Sequence, residues 1–110
     1  MKNASLMMAM FLLILTSSCA HSDALKDYRV NANNYVDQTI SFTAKVIDYG
    51  SPDVEILQDY GVGTYYYKFA DQEGYFVNVI SKNRKFEMNN IYSVSGKYIK
   101  TSAGNYYLIE

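Results

Sequence analysis

The sequence predicts a mainly β protein, a small antiparallel barrel of five or six strands with one N-terminal helix. Three observations predict this fold class. Apolar and polar residues alternate in most segments after residue 39, as they do in strands with one buried face. All twelve tyrosines lie from Tyr28 onward, and aromatic residues are enriched on pleated, half-buried surfaces. No second helical segment is long enough for a βαβ unit, which favours antiparallel strands.

Composition limits the function classes before any motif is considered. The chain has 110 residues, of which 19% are charged and 49% are hydrophobic. This size leaves room for one small domain and excludes a multidomain enzyme. The balance of charged and apolar residues excludes both a disordered tail and a protein with many membrane spans.

Residues 1–18 are predicted to be a lipoprotein signal peptide. Lys2 precedes an apolar run from Leu6 to Leu15, which is shorter than the about 20 residues that a spanning helix needs. The following Thr-Ser-Ser-Cys, residues 16–19, resembles a bacterial lipobox, although Thr16 stands where that motif usually has leucine. Cys19 is the only cysteine, which favours lipidation over disulfide pairing. The alternative is an ordinary cleaved secretion signal with an incidental cysteine.

Lipidation of Cys19 would make residues 19–22 a lipidated tether and residues 23–110 the folded domain. Several acyl chains hold a protein on a membrane almost permanently. We therefore expect the protein in the cell envelope, with the membrane as one partner through the lipid on Cys19. Ala20 stands where an aspartate resembles an inner-membrane retention signal, which favours the outer membrane, facing the periplasm, in a Gram-negative cell.

The first predicted element of the domain is a helix from Asp23 to about Asp37, with Ser22 or Asp23 as its N-cap. Its apolar residues recur at helical spacing and form one face. They are Leu25, Tyr28, Ala32, Tyr35 and Val36. The period then changes to two, and a strand is predicted whose buried face consists of Ile40, Phe42, Ala44 and Val46.

Residues 50–53, Gly-Ser-Pro-Asp, end this strand. Two interpretations of Val54 to Leu57 stay open, a short strand or a helical turn started by Ser51 with Pro52 in its first position. The remaining strands are predicted at residues 64–70, 75–80, 91–100 and 105–109. Gly74 suits the turn of the first hairpin, and residues 81–90 form a polar connector.

Two features are expected in the barrel interior and its closure. Phe42 and Val46 should lie inside the barrel with Val77 and Val94. Gly96 would let its strand bend sharply to close a small barrel, since glycine has no Cβ. The alternative for Gly96 is a simple interruption of side-chain packing.

Three stretches, residues 33–46, 69–77 and 92–98, carry a resemblance to a known fold. Their order resembles the OB-fold, and in particular the bacterial tRNA_anti-like group of small exported OB domains. The chain departs from that group at Ala44, where glycine is frequent, and in the short connector 81–90, which leaves an SH3-like barrel as an alternative. The resemblance implies that the face of the second and third strands holds the ligand, which in OB-folds is an oligonucleotide, an oligosaccharide or a peptide.

No set of residues with catalytic chemistry is found in the sequence. His21 is the only histidine and Cys19 is consumed by the lipid, so neither a nucleophile–histidine site nor a zinc site can be assembled. The pairs Asp71 with Glu73 and Asp53 with Glu55 lie in turn-like segments, where acids are common. We therefore predict a protein that is not an enzyme, with no metal and no cofactor.

Two groups of residues are candidates for ligand binding. Strand alternation predicts that one face of the hairpin points inward and the other outward. The inward residues are Tyr65, Tyr67, Phe69, Tyr75, Val77 and Val79. The outward candidates are Tyr66, Lys68, Phe76 and Asn78. Alternatively, Tyr66 and Phe76 pack under the N-terminal helix. The second group, Lys82, Arg84 and Lys85, lies in a polar loop that is either only solvated or contacts phosphate, anionic lipid or an acidic partner.

The sequence thus predicts a lipid-anchored envelope binding module without catalysis, whose partner is a protein or a glycan. The alternative is a domain that binds single-stranded nucleic acid or another polyanion. Removal of residues 1–18 leaves nine basic and eleven acidic side chains, a net charge of about −2. Nucleic-acid binders usually carry a clear basic surface, so this charge favours the protein or glycan partner.

Overall fold

The computed structural model describes residues 24–110. The predicted signal peptide, the tether with Cys19 and His21, and the N-cap of the first helix lie outside the described residues. Within residues 24–110, no helix has the length and apolar character needed to cross a bilayer.

The described chain is mainly β, with five strands and two short α-helices. Helix α1 occupies residues 24–30 and is followed by a 3-10 turn, Ala32–Tyr35. The later elements are β1 (Thr39–Gly50), α2 (Val54–Tyr60), β2 (Tyr66–Ala70), β3 (Phe76–Ile80), β4 (Ile91–Lys100) and β5 (Tyr106–Ile109). The fold class predicted from the sequence is confirmed.

The five strands close into a barrel in the order β1-β2-β3-β5-β4. Four of the neighbouring pairs are antiparallel, whereas β3 and β5 are parallel, with Val79 opposite Leu108 and Ile80 opposite Ile109. The prediction of an entirely antiparallel barrel is therefore wrong for the β3–β5 pair. A closed ring with an odd number of strands cannot alternate in direction at every step, so one parallel pair is unavoidable. The result is a closed five-stranded barrel with one parallel pair.

The strand phase predicted for β1 is confirmed. Its residues are exposed and buried in strict alternation from Thr39 to Val46, with the apolar set inside. Phe42 is 4% exposed and contacts Phe69 edge-to-face at 5.8 Å between ring centroids. Val77 and Val94 are also buried, as expected. The barrel interior is therefore filled by side chains and holds the main core.

Helix α1 covers this core with the predicted face but ends earlier than predicted. Leu25 and Ala32 are buried, and Tyr28 and Tyr35 pack against the core from the edge. The α-helix stops at residue 30, not near residue 37, and Asp37 adopts a positive φ of 70°. The asparagines at positions 31, 33 and 34 explain the early end. Asparagine has a low helix propensity, because its side chain forms hydrogen bonds with nearby backbone groups in non-helical conformations.

The segment Val54 to Leu57, for which the sequence allowed either a strand or a helical turn, is helical. Asp53, not Ser51, caps α2, and its carboxylate accepts a hydrogen bond from the Ile56 amide at 3.3 Å. Ile56 is buried in a second, smaller apolar cluster with Ile80 and Tyr107. Helix α2 therefore packs against the barrel where β3 and β5 lie side by side.

Gly96 is required by the close approach of two strands. A Cβ at this position would overlap the main-chain carbonyl oxygen of Ile109 and lie 2.7 Å from Leu108 Cδ2. Gly96 faces Ile40 in the β1–β4 ladder, and the β4–β5 ladder begins at the next residue, Lys97. The glycine thus allows β5 to approach β4 at the point where β4 leaves β1.

A cleft on the face of β2 and β3

A cleft of about 720 Å³ lies on the outer face of the β2–β3 hairpin. Its sides are the end of α1 with the 3-10 turn, and the turn between β4 and β5. All four outward candidates of the hairpin line it: Tyr66, Lys68, Phe76 and Asn78. Lys68 lies directly opposite Asn78 in the ladder, so alternation places these side chains on one face.

Two cations converge on the ring of Phe76. The Arg29 guanidinium carbon lies 4.3 Å from the ring centroid, and Lys68 Nζ lies 4.4 Å from it. Both contacts are within the range of a cation–π interaction, which orients the two side chains. Among the described residues, neither cation forms a salt bridge. We call Arg29 and Lys68 the cation pair.

Asn78 presents a donor to the cleft. Its Oδ1 atom is buried and has no hydrogen-bond partner within the described chain. The residue as a whole is half-buried and lines the cleft. The amide nitrogen Nδ2 is therefore the polar atom available at the cleft surface.

Tyr66 and Phe76 only partly follow the alternative of packing under the N-terminal helix. Phe76 contacts α1 through Arg29. Tyr66 instead packs against the cluster under α2, with its ring 6.1 Å from that of Tyr107. The Tyr66 ring also lies so close to Gly50 that a Cβ there would come within 2.8 Å of the hydroxyl oxygen. Both rings are half-buried, so each contributes to packing and to the cleft surface.

Hydrogen bonds join the 3-10 turn to β4 and β5 and form one wall of the cleft, the Asn33–Tyr106 wall. Asn33 Oδ1 accepts from the Tyr106 hydroxyl at 2.5 Å and from Lys100 Nζ at 3.4 Å. The Tyr106 ring stacks on Tyr98 with centroids 5.6 Å apart. Tyr98 is buried, and burial raises its pKa to about 12. This wall is therefore a preformed surface.

The turn between β4 and β5 is fixed to α2 by two carboxylates, that of Glu55, which accepts from the Ser102 amide at 2.8 Å, and that of Asp53. Asp53 Oδ2 accepts from the Thr101 hydroxyl at 2.6 Å and from Asn105 Nδ2 at 3.1 Å. The pKa of Asp53 is lowered overall. Burial alone would raise this pKa, but the hydrogen bonds from Thr101, Asn105 and Ile56 together outweigh burial. Because Gly104 and Asn105 line the cleft, Asp53 positions one side of it.

The basic loop lies on a different surface. Lys82, Arg84 and Lys85 line a groove of about 460 Å³ that shares no lining residue with the cleft. Arg84 is bound to Glu110 at 2.5 Å and donates to the Ser93 carbonyl at 2.7 Å, so its charge is neutralised. The two candidate groups of the sequence therefore do not form one site.

Alternate residues of β2 separate these two surfaces, with Tyr66 and Lys68 in the cleft and Tyr67 in the groove. Tyr67 and Phe69 lie on the predicted inward side, where Tyr67 contacts Phe86 at 5.2 Å. The inward prediction for Tyr65 is wrong, because this residue precedes the strand and is 50% exposed. Tyr65 instead contacts Tyr49 edge-to-face at 6.0 Å.

Sequence reasoning missed Arg29. In the helical pattern of α1, Arg29 belongs to the polar face, and such a residue is expected to be solvated. Only the position of α1 beside the first residue of β3 brings Arg29 onto Phe76. No signal in the sequence specifies that contact.

Metal-ligating residues do not gather in the described chain. Residues 24–110 contain no group of three or more histidine, cysteine, aspartate or glutamate side chains that could hold an ion.

No protein-family model matches the chain, and no curated protein matches it. Its function is therefore inferred from the barrel and the cleft.

Proposed function

We propose that the protein is a non-enzymatic binding module of the cell envelope, anchored by a lipid on Cys19, that holds a protein or glycan partner in the β2–β3 cleft. One observation carries the proposal: the four outward residues of the hairpin and Arg29 line a single cleft of about 720 Å³. A cleft of this size suits a ligand of several sugar or amino-acid units.

The chemistry of the cleft supports binding. Its polar side chains are amides, tyrosine hydroxyls and the two cations of the cation pair. These groups donate hydrogen bonds and compensate charge, which fixes a ligand in place. The preformed Asn33–Tyr106 wall lowers the entropic cost of binding.

The anchor is tested with Cys19→Ala. We expect the variant to remain as an unprocessed precursor without labelled palmitate, because the thioether bond to the lipid needs the cysteine sulfur. The measurement is palmitate incorporation with membrane fractionation, and Ser18→Ala is the matched control. Labelling of the Cys19→Ala protein at the wild-type level would refute the lipobox interpretation.

The cleft is tested by site-specific photo-cross-linking in living cells. A photoreactive amino acid replaces Asn78 in the cleft or, as control, Ser95, which is exposed on β4 and does not line the cleft. We expect a protein or glycan adduct at position 78 and none at position 95. Adducts of equal yield at both positions, or none at position 78, would remove the cleft as the binding site.

The second candidate function is binding of single-stranded nucleic acid or another polyanion, in the groove with the basic loop. The groove combines Lys82 and Lys85 with Tyr65, and Lys82 Nζ lies 4.6 Å from the Tyr60 ring centroid. Such a combination suits phosphates and bases.

This candidate predicts retention on an immobilised oligonucleotide that falls steeply with salt. Lys82→Gln with Lys85→Gln should abolish the retention. Lys97→Gln should not, because Lys97 is on β4 near Asp37 and does not line the groove. Retention that is independent of salt, or equal in both variants, would exclude it.

A further inference from the structure

We infer that the ligand of the β2–β3 cleft is an anionic saccharide, a hydroxylated chain that carries a carboxylate or phosphate group. This inference rests on the proposed function, because it names the chemical class of ligand for the same cleft. It follows from the charge of the cleft, from the hydrogen-bonding atoms that its side chains present, and from the aromatic faces and strand edges that already have partners within the protein.

The charge of the cleft is uncompensated. Of residues 24–110, those that line the cleft include the cation pair and no aspartate or glutamate. Arg29 and Lys68 each lie within 4.4 Å of the same ring centroid, so one ring of the cleft holds two positive charges. A bound anion would compensate both charges.

The cation pair differs from the other cations of the described chain in that its two members share one ring, that of Phe76. Within residues 24–110, only Arg84 and Lys97 form salt bridges, with Glu110 and Asp37. No described carboxylate lines the cleft, which leaves Arg29 and Lys68 available to a ligand.

The polar atoms that the cation pair and Asn78 present to the cleft are donors. The cation pair can only donate hydrogen bonds, and Asn78 presents Nδ2 because its Oδ1 is buried. The ligand must therefore supply acceptors and negative charge at this point. Hydroxyl groups, which both donate and accept, suit the remaining amides and tyrosine hydroxyls.

The cleft offers few free aromatic faces for stacking, on which the binding of single-stranded nucleic acid depends. Phe76 is contacted by two cations, Tyr106 stacks on Tyr98, and Tyr66 packs against Tyr107. Each aromatic ring that lines the cleft thus already has a partner. A saccharide does not depend on open ring faces, because its hydroxyls can bind to the amides.

An acidic peptide is disfavoured by the closed barrel. Extended peptides bind many β-domains by adding a strand to a free sheet edge. Each of the five described strands has two neighbours in the ring, and the part of β3 that is not paired with β5, Phe76–Asn78, is only three residues long. This free edge is shorter than a typical strand of about 5 to 6 residues. The observations therefore favour a saccharide over a peptide.

The experiment compares a tetrasaccharide of galacturonate with its fully methyl-esterified form, which is neutral. The full-length protein in detergent is titrated with each by calorimetry, and a phosphate-bearing mannose tetrasaccharide distinguishes the two sources of charge. We expect the ester to bind at least about tenfold more weakly than one of the charged saccharides, since charge-assisted hydrogen bonds are the stronger ones.

Variants assign the charge to the cation pair. Arg29→Met and Lys68→Met should each lower the affinity for the charged saccharide about tenfold and leave that for the ester unchanged. Lys45→Met is the matched control, because Lys45 is exposed on β1 and does not line the cleft. Circular dichroism melts verify that each variant is folded.

Three outcomes would overturn the inference. Equal affinity for the charged and neutral saccharides would show that charge is not recognised. Tighter binding of oligodeoxythymidylate or polyglutamate would assign the cleft to another class of ligand. No binding of any saccharide would exclude the class, and the cross-link at position 78 would then decide separately whether the proposed function stands.

Discussion

The bond between Asp53 and Thr101 predicts a measurable coupling between α2 and the turn that lines the cleft. The perturbation is a double-mutant cycle of Asp53→Ala and Thr101→Val. Thr101 is buried at 5% exposure, and its hydroxyl donates to Asp53 Oδ2 at 2.6 Å. The cycle isolates the energy of this one contact.

The magnitude follows from the contacts that each change removes. Asp53→Ala removes the N-cap of α2, which costs about 1 kcal/mol. It also leaves the buried Thr101 hydroxyl without its acceptor, which costs about 1 to 3 kcal/mol. We therefore expect a loss of about 2 to 4 kcal/mol, and a coupling energy of about 1.5 kcal/mol, which is typical for a hydrogen bond to a charged group.

The assay is urea unfolding followed by circular dichroism. Asp59→Ala is the matched control, since Asp59 is exposed on the same helix and should change stability by less than about 0.5 kcal/mol. Asp53→Ala should also weaken the saccharide affinity of the cleft, because Asn105 loses a partner. A coupling energy below about 0.5 kcal/mol would refute the idea that this bond holds the turn.

The remaining predictions concern the core, the strand approach and acid stability. Phe42→Ala should lower the unfolding free energy by about 3 to 5 kcal/mol in thermal melts, because a large buried ring is lost, and a shift of less than a few degrees would mean that the strand phase is wrong by one. Gly96→Ala should cost about 1 to 3 kcal/mol in urea unfolding, because the added methyl meets the Ile109 main chain, and wild-type stability would contradict that approach. Acid should destabilise the protein, since the pKa of Asp53 and that of Glu110 are lowered in the folded state. For Glu110, burial raises the pKa, but hydrogen bonds from Arg84 and Ser81 outweigh it. The stabilisation from lowered carboxyl pKa values is complete above the unfolded-state pKa, about 4, and is lost as pH falls through the folded-state value. Urea midpoints between neutral pH and about pH 2.5 test this, and an equally steep loss in the Asp53→Ala variant would exclude Asp53 as a contributor.

Strands with one buried face were the most predictable part of the fold. The alternation of β1 specifies both its type and its phase, because an exposed Phe42 or Val46 would be costly. The segment after β1 was not predictable to the same degree. Val54 to Leu57 is too short for periodicity to distinguish a helix from a strand, and only the cap by Asp53 and the burial of Ile56 decide for the helix.

The cleft was predictable only in its floor. Parity along β2 and β3 brings Lys68 and Asn78 to one face whatever surrounds them. The sides depend on how α1 and the turn after β4 pack against the barrel, which local sequence does not encode. Arg29 and Asn105 were therefore missed, and Tyr65 was assigned to the wrong side because the start of β2 was placed two residues early.

The pairing of β1 with β4 has a kinetic consequence. Thr39 lies opposite Lys97, so this ladder joins segments that are far apart in the chain. Closing such a long loop is slow, and barrels dominated by distant pairings fold in about milliseconds to seconds. The β2–β3 hairpin, whose strands are neighbours in sequence, can form first. We therefore expect the floor of the cleft to form early and its sides to be added only when the ring closes, so that the ability to bind is acquired in the last step of folding.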